Sequence, residues 1–421
     1  MKNTGRHPVL FIVLDAFRHD YLDPERTPAL MDAAARGLHV RQLRPNFGFC
    51  ERTEMFTGTT PDINGLFTAL TLSSGGIFAS NTTDIALLGL LDWETVFLRR
   101  FTRRFFRDWF RKVRHIRQPV YEIPLALLPR VVLTEDRREL HMSGWSEIET
   151  IFDVLRRENR TFFFDTFASL TMDIIPEHAR DDCLVRALRE KPADFYLLYI
   201  GDGDGTGHDF GPHSPEAREM NRRVDARFRH VSEAFFREHP AGSLLVIGDH
   251  GMLPVERTIK PRPIIREAAR RTGLRPVRDY DLFLDSTMIR LWMKTDAARR
   301  VFSELFAIHP EFSAHGRLLT RELAADLHVP PPGSGYGDLL WIASPGVLVF
   351  PDYFHYRHPC RGMHGYETHV SGQKGFAIAL GERVAPGVLD EKELIDVCPT
   401  LCHLLDISVP AHNQGKGFFS S

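Results

Sequence analysis

The sequence predicts an α/β protein built on a mixed, mostly parallel central sheet with helices on both faces. Two observations predict it. Strand-length apolar runs stop abruptly at acids or imidazoles, and amphipathic helical segments separate them. Val9–Leu14 ends at Asp15, Asp194–Ile200 runs into Gly201-Asp202-Gly203-Asp204, and Leu244–Ile247 ends at Gly248-Asp249-His250-Gly251. Near-continuous apolar runs suit strands covered on both faces, and open α/β sheets place their chemistry beyond the carboxyl ends of such strands.

Composition sets the outer limits. The 421 residues are 43% hydrophobic and 26% charged, the make-up of a globular protein with a sizeable core. One main domain over 1–421, with insertions, is the expectation. A net charge of -2 argues against wholesale nucleic-acid binding. Cys50, Cys183, Cys360, Cys398 and Cys402 are odd in number and scattered, so reduced thiols and a cytoplasmic setting are expected. Met1 to Pro8 is short and polar and reads as the lead into a first strand. No window approaches the roughly 18 apolar residues that span a bilayer, so any membrane contact is expected from the inner surface.

Taken in order, Asp15 in Leu14-Asp15-Ala16-Phe17-Arg18 is the first strand-end ligand candidate. Thr27-Pro28 opens a helix, with the hydroxyl as cap and proline at the first helical position, and Gly37 stops it. The loop Pro45-Asn46-Phe47-Gly48-Phe49 then leads into a short helix starting near Glu51. Cys50 falls at the positive end of that helix, where a thiolate is stabilised and a phosphate can be received. A small buried hydrophobe is the other reading of this thiol.

Residues 70–130 read as an inserted cap segment. From Trp93 to Arg117, Phe97, Phe101, Phe105, Trp109 and Val113 recur every four positions, and nine Lys or Arg lie between Arg99 and Arg117 beside one acid, Asp108. Such a helix either buries its stripe in a cap or presents it to an anionic membrane surface or ligand. Ser146–Arg157 and Thr161–Phe167 read as helix then strand. Beyond Ile200 the glycines argue for a loop in which Asp204 and His208 suit zinc or a similar ion.

Ser214-Pro215-Glu216 opens a long helix to about Phe236. The run from Leu244 delivers Asp249 and His250, with Gly251 expected to permit the turn. Residues 255–345 read as a second inserted cap, with a strand at Ser286–Met293 and a helix at Thr295–Ile308. Arg361–Glu367 holds His364 ahead of the strand Gly375–Leu380. Cys398 and Cys402, on the closing helix, read as core.

These islands, in this order, resemble the alkaline phosphatase superfamily, and most closely its type I phosphodiesterase / nucleotide pyrophosphatase branch. The motifs are Val13-Leu14-Asp15-Ala16-Phe17-Arg18, Phe56-Thr57-Gly58 with Pro61, Asp204-Gly205-Thr206-Gly207-His208 with Phe210-Gly211-Pro212, Asp249-His250-Gly251-Met252, and His364-Gly365-Tyr366. The resemblance implies an alkaline phosphatase-like fold and a two-metal site for hydrolysing phosphate esters, most of all phosphodiesters. One ion is implied at Asp204, His208 and His364, and the other at Asp15, Asp249, His250 and the nucleophile. Zinc is the expected ion and manganese the second choice.

The nucleophile is where the sequence departs from that branch. Counting back from Gly58 lands on Gly48, which has no side chain, whereas the register of the independent phosphoglycerate mutases selects Cys50. Cys50 is therefore the expected nucleophile and metal ligand, Thr53 the reserve, and Arg52 the expected phosphate-binding charge. A sulfatase is discounted, because Cys50-Glu51-Arg52 lacks the proline and the spacing of the formylglycine motif. Phosphomonoesterase, phosphomutase and phospho-headgroup transferase stay open, as does a metal-binding pseudoenzyme used for recognition. The expected partner is a phosphate ester, lipid-linked or nucleotide-like, with peripheral membrane contact through residues 93–117.

Overall fold

The computed structural model describes the chain apart from residues 1–6, 74, 77, 90–95, 115–122, 134–139, 166–174, 356 and 420–421. It divides into two compact units, one of Met1–Leu66, Arg138–Pro254 and Arg361–Ser421, the other of Phe67–Arg137 and Val255–Cys360. The segments read as two separate insertions thus fall in the same unit.

The first unit is organised by a seven-stranded sheet. Its strands are β1 (Val9–Leu14), β2 (Leu38–Arg44), β3 (Phe162–Phe163), β4 (Phe195–Ile200), β5 (Ser243–Gly248), β6 (Gly375–Gly381) and β7 (Gly387–Glu393), in the spatial order β7-β2-β6-β5-β1-β4-β3. All neighbours run parallel except β6, which is antiparallel to both β5 and β2. Every residue of β1 is buried, and alternation sends its side chains to opposite faces. Val9, Phe11 and Val13 pack with Phe56, Phe152 and Leu401, while Leu10, Ile12 and Leu14 pack with Leu30, Val224 and Phe235. Each such side chain contributes about 1.5–3 kcal/mol on burial, which is why β1 sits centrally.

Helix α1 (Pro28–Arg36) stops at Gly37. Thr27 does not cap it, because its hydroxyl donates to the Tyr21 and Asp23 carbonyls. Asp225 replaces that cap, its carboxylate accepting from the amides of Ala29 and Leu30 at 3.1 and 2.9 Å. Helix α2 is Glu51–Thr57, with Cys50 as its N-cap residue. The segment read as starting at Ser146 is helical over Ile151–Arg157, opened by a Thr150–Asp153 capping box. The strand read over Thr161–Phe167 is confined to β3, and Phe167 lies outside the described residues.

The glycine-rich stretch after β4, expected as a loop, is a helix, α3 (Asp202–Phe210). Packing overrides propensity here. A Cβ on Gly203 would lie 2.1 Å from the Asp15 carbonyl oxygen, and one on Gly207 would lie 2.8 Å from Met252. The glycines therefore let the helix rest on the strand ends. Arg227, on α4 (Pro215–Glu238), anchors its first turn by pairing with Asp202 and with Glu177 and Asp181 at 2.6 and 2.8 Å. Gly251 likewise serves contact rather than turning, since its Cβ would meet the Gly372 carbonyl at 2.0 Å and its φ is not left-handed.

The second unit holds a four-stranded antiparallel sheet of Tyr280–Leu284, Met288–Met293, Leu339–Ala343 and Gly316–Leu318, in that order. The basic segment is helical over Val96–Val113. Trp93, Arg117 and the side chains of Phe97 and Phe101 lie outside what is described. Phe106 and Phe110 are buried, Phe110 packing edge-on against Phe78 at 4.9 Å, whereas Phe105 and Val113 are 49% and 48% exposed. The expected stripe is thus not the buried face. A four-residue repeat drifts about 40° per step round a helix of 3.6 residues per turn, so it winds off any one face. Among the described residues no helix is long and apolar enough to cross a membrane.

Candidate metal centre

Register builds the site. Leu14 pairs with Ile200 on one side and with Gly248 on the other. Asp15, Gly201 and Asp249 therefore leave three adjacent parallel strands at one level, the carboxyl edge of the sheet. Ala16, directly after Asp15, has a φ of 55°, a strained conformation for a residue with a side chain. The Asp249 carboxylate holds it there, its Oδ1 accepting from the amides of Ala16 at 3.1 Å and His250 at 2.9 Å.

Helix α3 brings Asp204 and His208 one turn apart on the same face. His208 Nε2 is 3.1 Å from Asp204 Oδ1, and its Nδ1 donates to the Gly362 carbonyl at 2.9 Å. His364 comes from the segment after Gly362-Met363, and its Nε2 is 3.4 Å from the same Asp204 oxygen. Its ring stacks on His250 at 4.1 Å and meets Phe49 edge-on at 5.1 Å. Gly365 is needed beside it: φ is 77°, and a Cβ would lie 2.3 Å from the Phe49 ring. His250 Nδ1 donates to the Gly251 carbonyl at 2.8 Å, which leaves Nε2 facing Asp15 Oδ1 at 3.0 Å. Asp15 Oδ2 accepts the Tyr199 hydroxyl.

These contacts set acceptor against acceptor. With Nδ1 of His208 and of His250 committed as a donor to a carbonyl, each neutral ring turns a lone pair toward a carboxylate. Only a proton or a cation resolves that. Asp204 Oδ1 and His364 Nδ1 are buried with no hydrogen bond from the described residues, and buried polar atoms are normally satisfied. Three sets of ligand atoms lie within 4.8 Å of one another: Asp204, His208 and His364; Asp15, Asp204 and His250; and Glu51, His250 and His364. The residues fit divalent cations.

The proton affinities reflect the crowding. Burial lifts Asp249 to about 8, with Asp15 and Glu51 adding to it against the pull of His250. Burial and the neighbouring His250 hold His364 well below the usual histidine range. Burial would also depress His250, but Asp249, Asp15 and Glu51 raise it well above that range. Burial and the Asp15 charge keep the Tyr199 phenol protonated, as the donor to Asp15 must be.

Asp15, Asp204, His208, Asp249, His250 and His364 are thus brought together. Cys50 is placed differently from the expectation. It is buried, and its Sγ faces the Glu54 carboxylate at 3.9 Å. Its neighbour Glu51 reaches the cluster, because successive residues at a helix entry point about 100° apart. Thr53 is fully buried inside α2. Arg52 is half-buried, and its charge acts on both Glu51 and Tyr199. Glu51 and Tyr199 are what sequence reasoning missed. The one signal was an acid at the first helical position, which reads equally as an ordinary dipole-compensating residue.

A doubly covered α/β sheet whose strand ends present an Asp/His cluster of this kind defines a class, the α/β metalloenzyme-type site with ligands at the carboxyl edge. Residues 9–367 match the sequence profile of type I phosphodiesterase / nucleotide pyrophosphatase, and the chain belongs to that family. It is 27% identical over 242 residues to human ectonucleotide pyrophosphatase/phosphodiesterase family member 7, covering 56% of this chain and 50% of that protein. The chain so spans about half the length of that relative. A Bos taurus bis(5'-adenosyl)-triphosphatase is 21% identical over 416 residues, covering 97% of this chain and 80% of the relative. The fold is similar to that of murine ectonucleotide pyrophosphatase / phosphodiesterase 5, solved as an inactive variant in complex with AMP. The TM-score is 0.70 at 18% identity, with 97% of both chains covered.

Proposed function

We propose that this protein is a metal-dependent hydrolase of phosphate esters acting chiefly on phosphodiesters. The observation that carries the reading is the acceptor-on-acceptor packing of Asp204 against His208 at 3.1 Å and of Asp15 against His250 at 3.0 Å, with His364 Nε2 3.4 Å from the same Asp204 oxygen. Asp204, His208 and His364 would hold one ion, and Asp15, Asp249 and His250 a second. Zinc is preferred and manganese is the alternative, on the strength of three imidazoles among hard carboxylates. Bound divalent ions polarise phosphoryl oxygens and offset the charge spread over them in the transition state.

The chain's own groups hold that arrangement in place. The Gly362 and Gly251 carbonyls select the histidine tautomers, the Tyr199 phenol orients Asp15, and Arg52 carries the nearby positive charge for the substrate phosphate. A nucleotide-like diester or pyrophosphate is the favoured substrate, supported by the names of the relatives. A cytoplasmic setting is part of the proposal, supported by five cysteines none of which is in a disulfide. So is contact with an anionic membrane through Val96–Val113, where Phe105 and Val113 are exposed among Arg104, Arg107, Lys112 and Arg114.

Turnover of bis(p-nitrophenyl) phosphate and p-nitrophenyl phosphate, each before and after chelation and metal return, tests the main reading. Diester cleavage that chelator abolishes and metal restores is the expected result. A monoester preference would move the protein to the phosphomonoesterases, and full metal loading without turnover of either would make it a recognition protein. Co-sedimentation with acidic vesicles should occur at low salt and weaken as salt rises; protein left in the supernatant ends the membrane proposal.

A further inference from the structure

We propose that Glu51 is a metal ligand, its carboxylate filling the helix-entry position beside His250 and His364 that the sequence assigns to the Cys50 thiolate. The inference rests on the metal-dependent reading above. Its geometric basis is the third ligand set, in which a Glu51 oxygen, a His250 nitrogen and a His364 nitrogen lie within 4.8 Å of one another. Cys50 belongs to none of the three sets. As the N-cap residue, with φ -141° and ψ 28°, it turns Sγ toward Glu54. Glu51, the first residue of α2, projects into the cluster instead.

Charge balance and ligand chemistry support the same assignment. Asp15, Asp204, Asp249 and Glu51 are four carboxylates, and with neutral imidazoles they balance two divalent ions. A Cys50 thiolate would add an unbalanced anion to a buried site. An all-carboxylate and imidazole shell is also harder than one with sulfur, which favours manganese or zinc over soft ions such as copper(I). The residues flanking the ion pair would then be fixed on five separate elements: the ends of β1 and β5, helix α3, the segment after Gly362, and now the first turn of α2.

Cobalt(II) replacement tests the assignment without relying on turnover. Thiolate ligation gives cobalt an intense near-ultraviolet charge-transfer band, and carboxylate and imidazole ligation do not. The cobalt-loaded wild type should lack that band, and Cys50→Ser should keep both the metal content and the spectrum. Glu51→Gln should lose one ion per chain in equilibrium dialysis, or bind it more weakly by more than the roughly 100-fold that losing an outer-shell partner costs at most. A thiolate band that disappears in Cys50→Ser, or Glu51→Gln with wild-type stoichiometry and affinity, would overturn the inference. If Glu51→Gln does not fold, the wild-type spectrum still decides whether sulfur or carboxylate occupies the position. A wild type that binds no ion would refute the metal-dependent reading itself, which is a separate outcome.

Discussion

The acids buried in the second unit and those clustered at the strand ends of the first are held in different ways. In the second unit Asp281 and Asp285 meet cations from the chain. Asp285 lies 2.6 Å from the Nε of Arg290, whose guanidinium is fully buried, donates to the Leu70 carbonyl at 2.9 Å and covers the Phe283 ring at 4.7 Å. Asp281 pairs with Arg130 and with Lys294 at 3.0 Å. In the first unit, Asp15, Asp204 and Asp249 meet imidazoles that are already donating elsewhere. Burial of charge demands a countercharge in both places. The pairs of the second unit carry it internally, as Arg180 does beside Asp165 in the first, whereas the strand-end cluster is where ions are proposed to supply it.

The largest effect that could break this comparison is at His364. His364→Ala should cut turnover on the order of 10³-fold or more and lower bound metal, while the circular dichroism spectrum stays native. Wild-type metal content in that variant would mean the cluster is not the centre. Arg290→Met should do the reverse, because it strands Asp285: about 3–5 kcal/mol less stable in urea unfolding, with metal per folded chain unchanged. Stability within 1 kcal/mol of wild type would show that the internal pairing is dispensable.

Smaller changes sharpen the contrast. Tyr199→Phe removes the hydroxyl that orients Asp15 and should weaken metal binding roughly 10- to 100-fold in a competition titration; unchanged affinity would make the phenol mere packing. Glu54 shows what a buried acid does with no cation from the described residues paired to it. Burial first and Glu51 second raise it from 4.5 to about 8, against hydrogen bonds from Asn46. Its raised value means that its stabilisation is full below pH 4.5, declines as pH rises, and is gone above about 8. Glu54→Gln should therefore match wild type near pH 4.5 and exceed it at pH 9 by up to about 5 kcal/mol, measured by urea unfolding across that range. Parallel pH profiles for the two proteins would contradict the shift.

Sequence reasoning reached the sheet because β1, β4 and β5 are apolar on both faces, a pattern that solvent-facing strands cannot show. It reached Asp15, Asp204, His208, Asp249, His250 and His364 because each follows a strand or sits in a short motif whose residue types bind ions. What it could not reach depends on contacts between distant segments. The glycines of α3 read as helix breakers until β1 and Met252 lie against them. Gly251 read as a turn residue until Gly372 closed over it.

The composition of the cluster was therefore written locally: apolar runs place strands, and acids and imidazoles at their ends supply its side chains. Which helix-entry side chain enters the cluster was not. Cys50 and Glu51 are adjacent, and a rotation of about 100° per residue exchanges their directions, so only the docking of α2 against the core through Met55 and Phe56 decides between them. The same holds for the basic helix, where the partners of Phe106 and Phe110, and not the four-residue repeat, choose the buried face. Periodicity along a chain specifies that a face exists, whereas its direction is set by the long-range packing that no local pattern encodes.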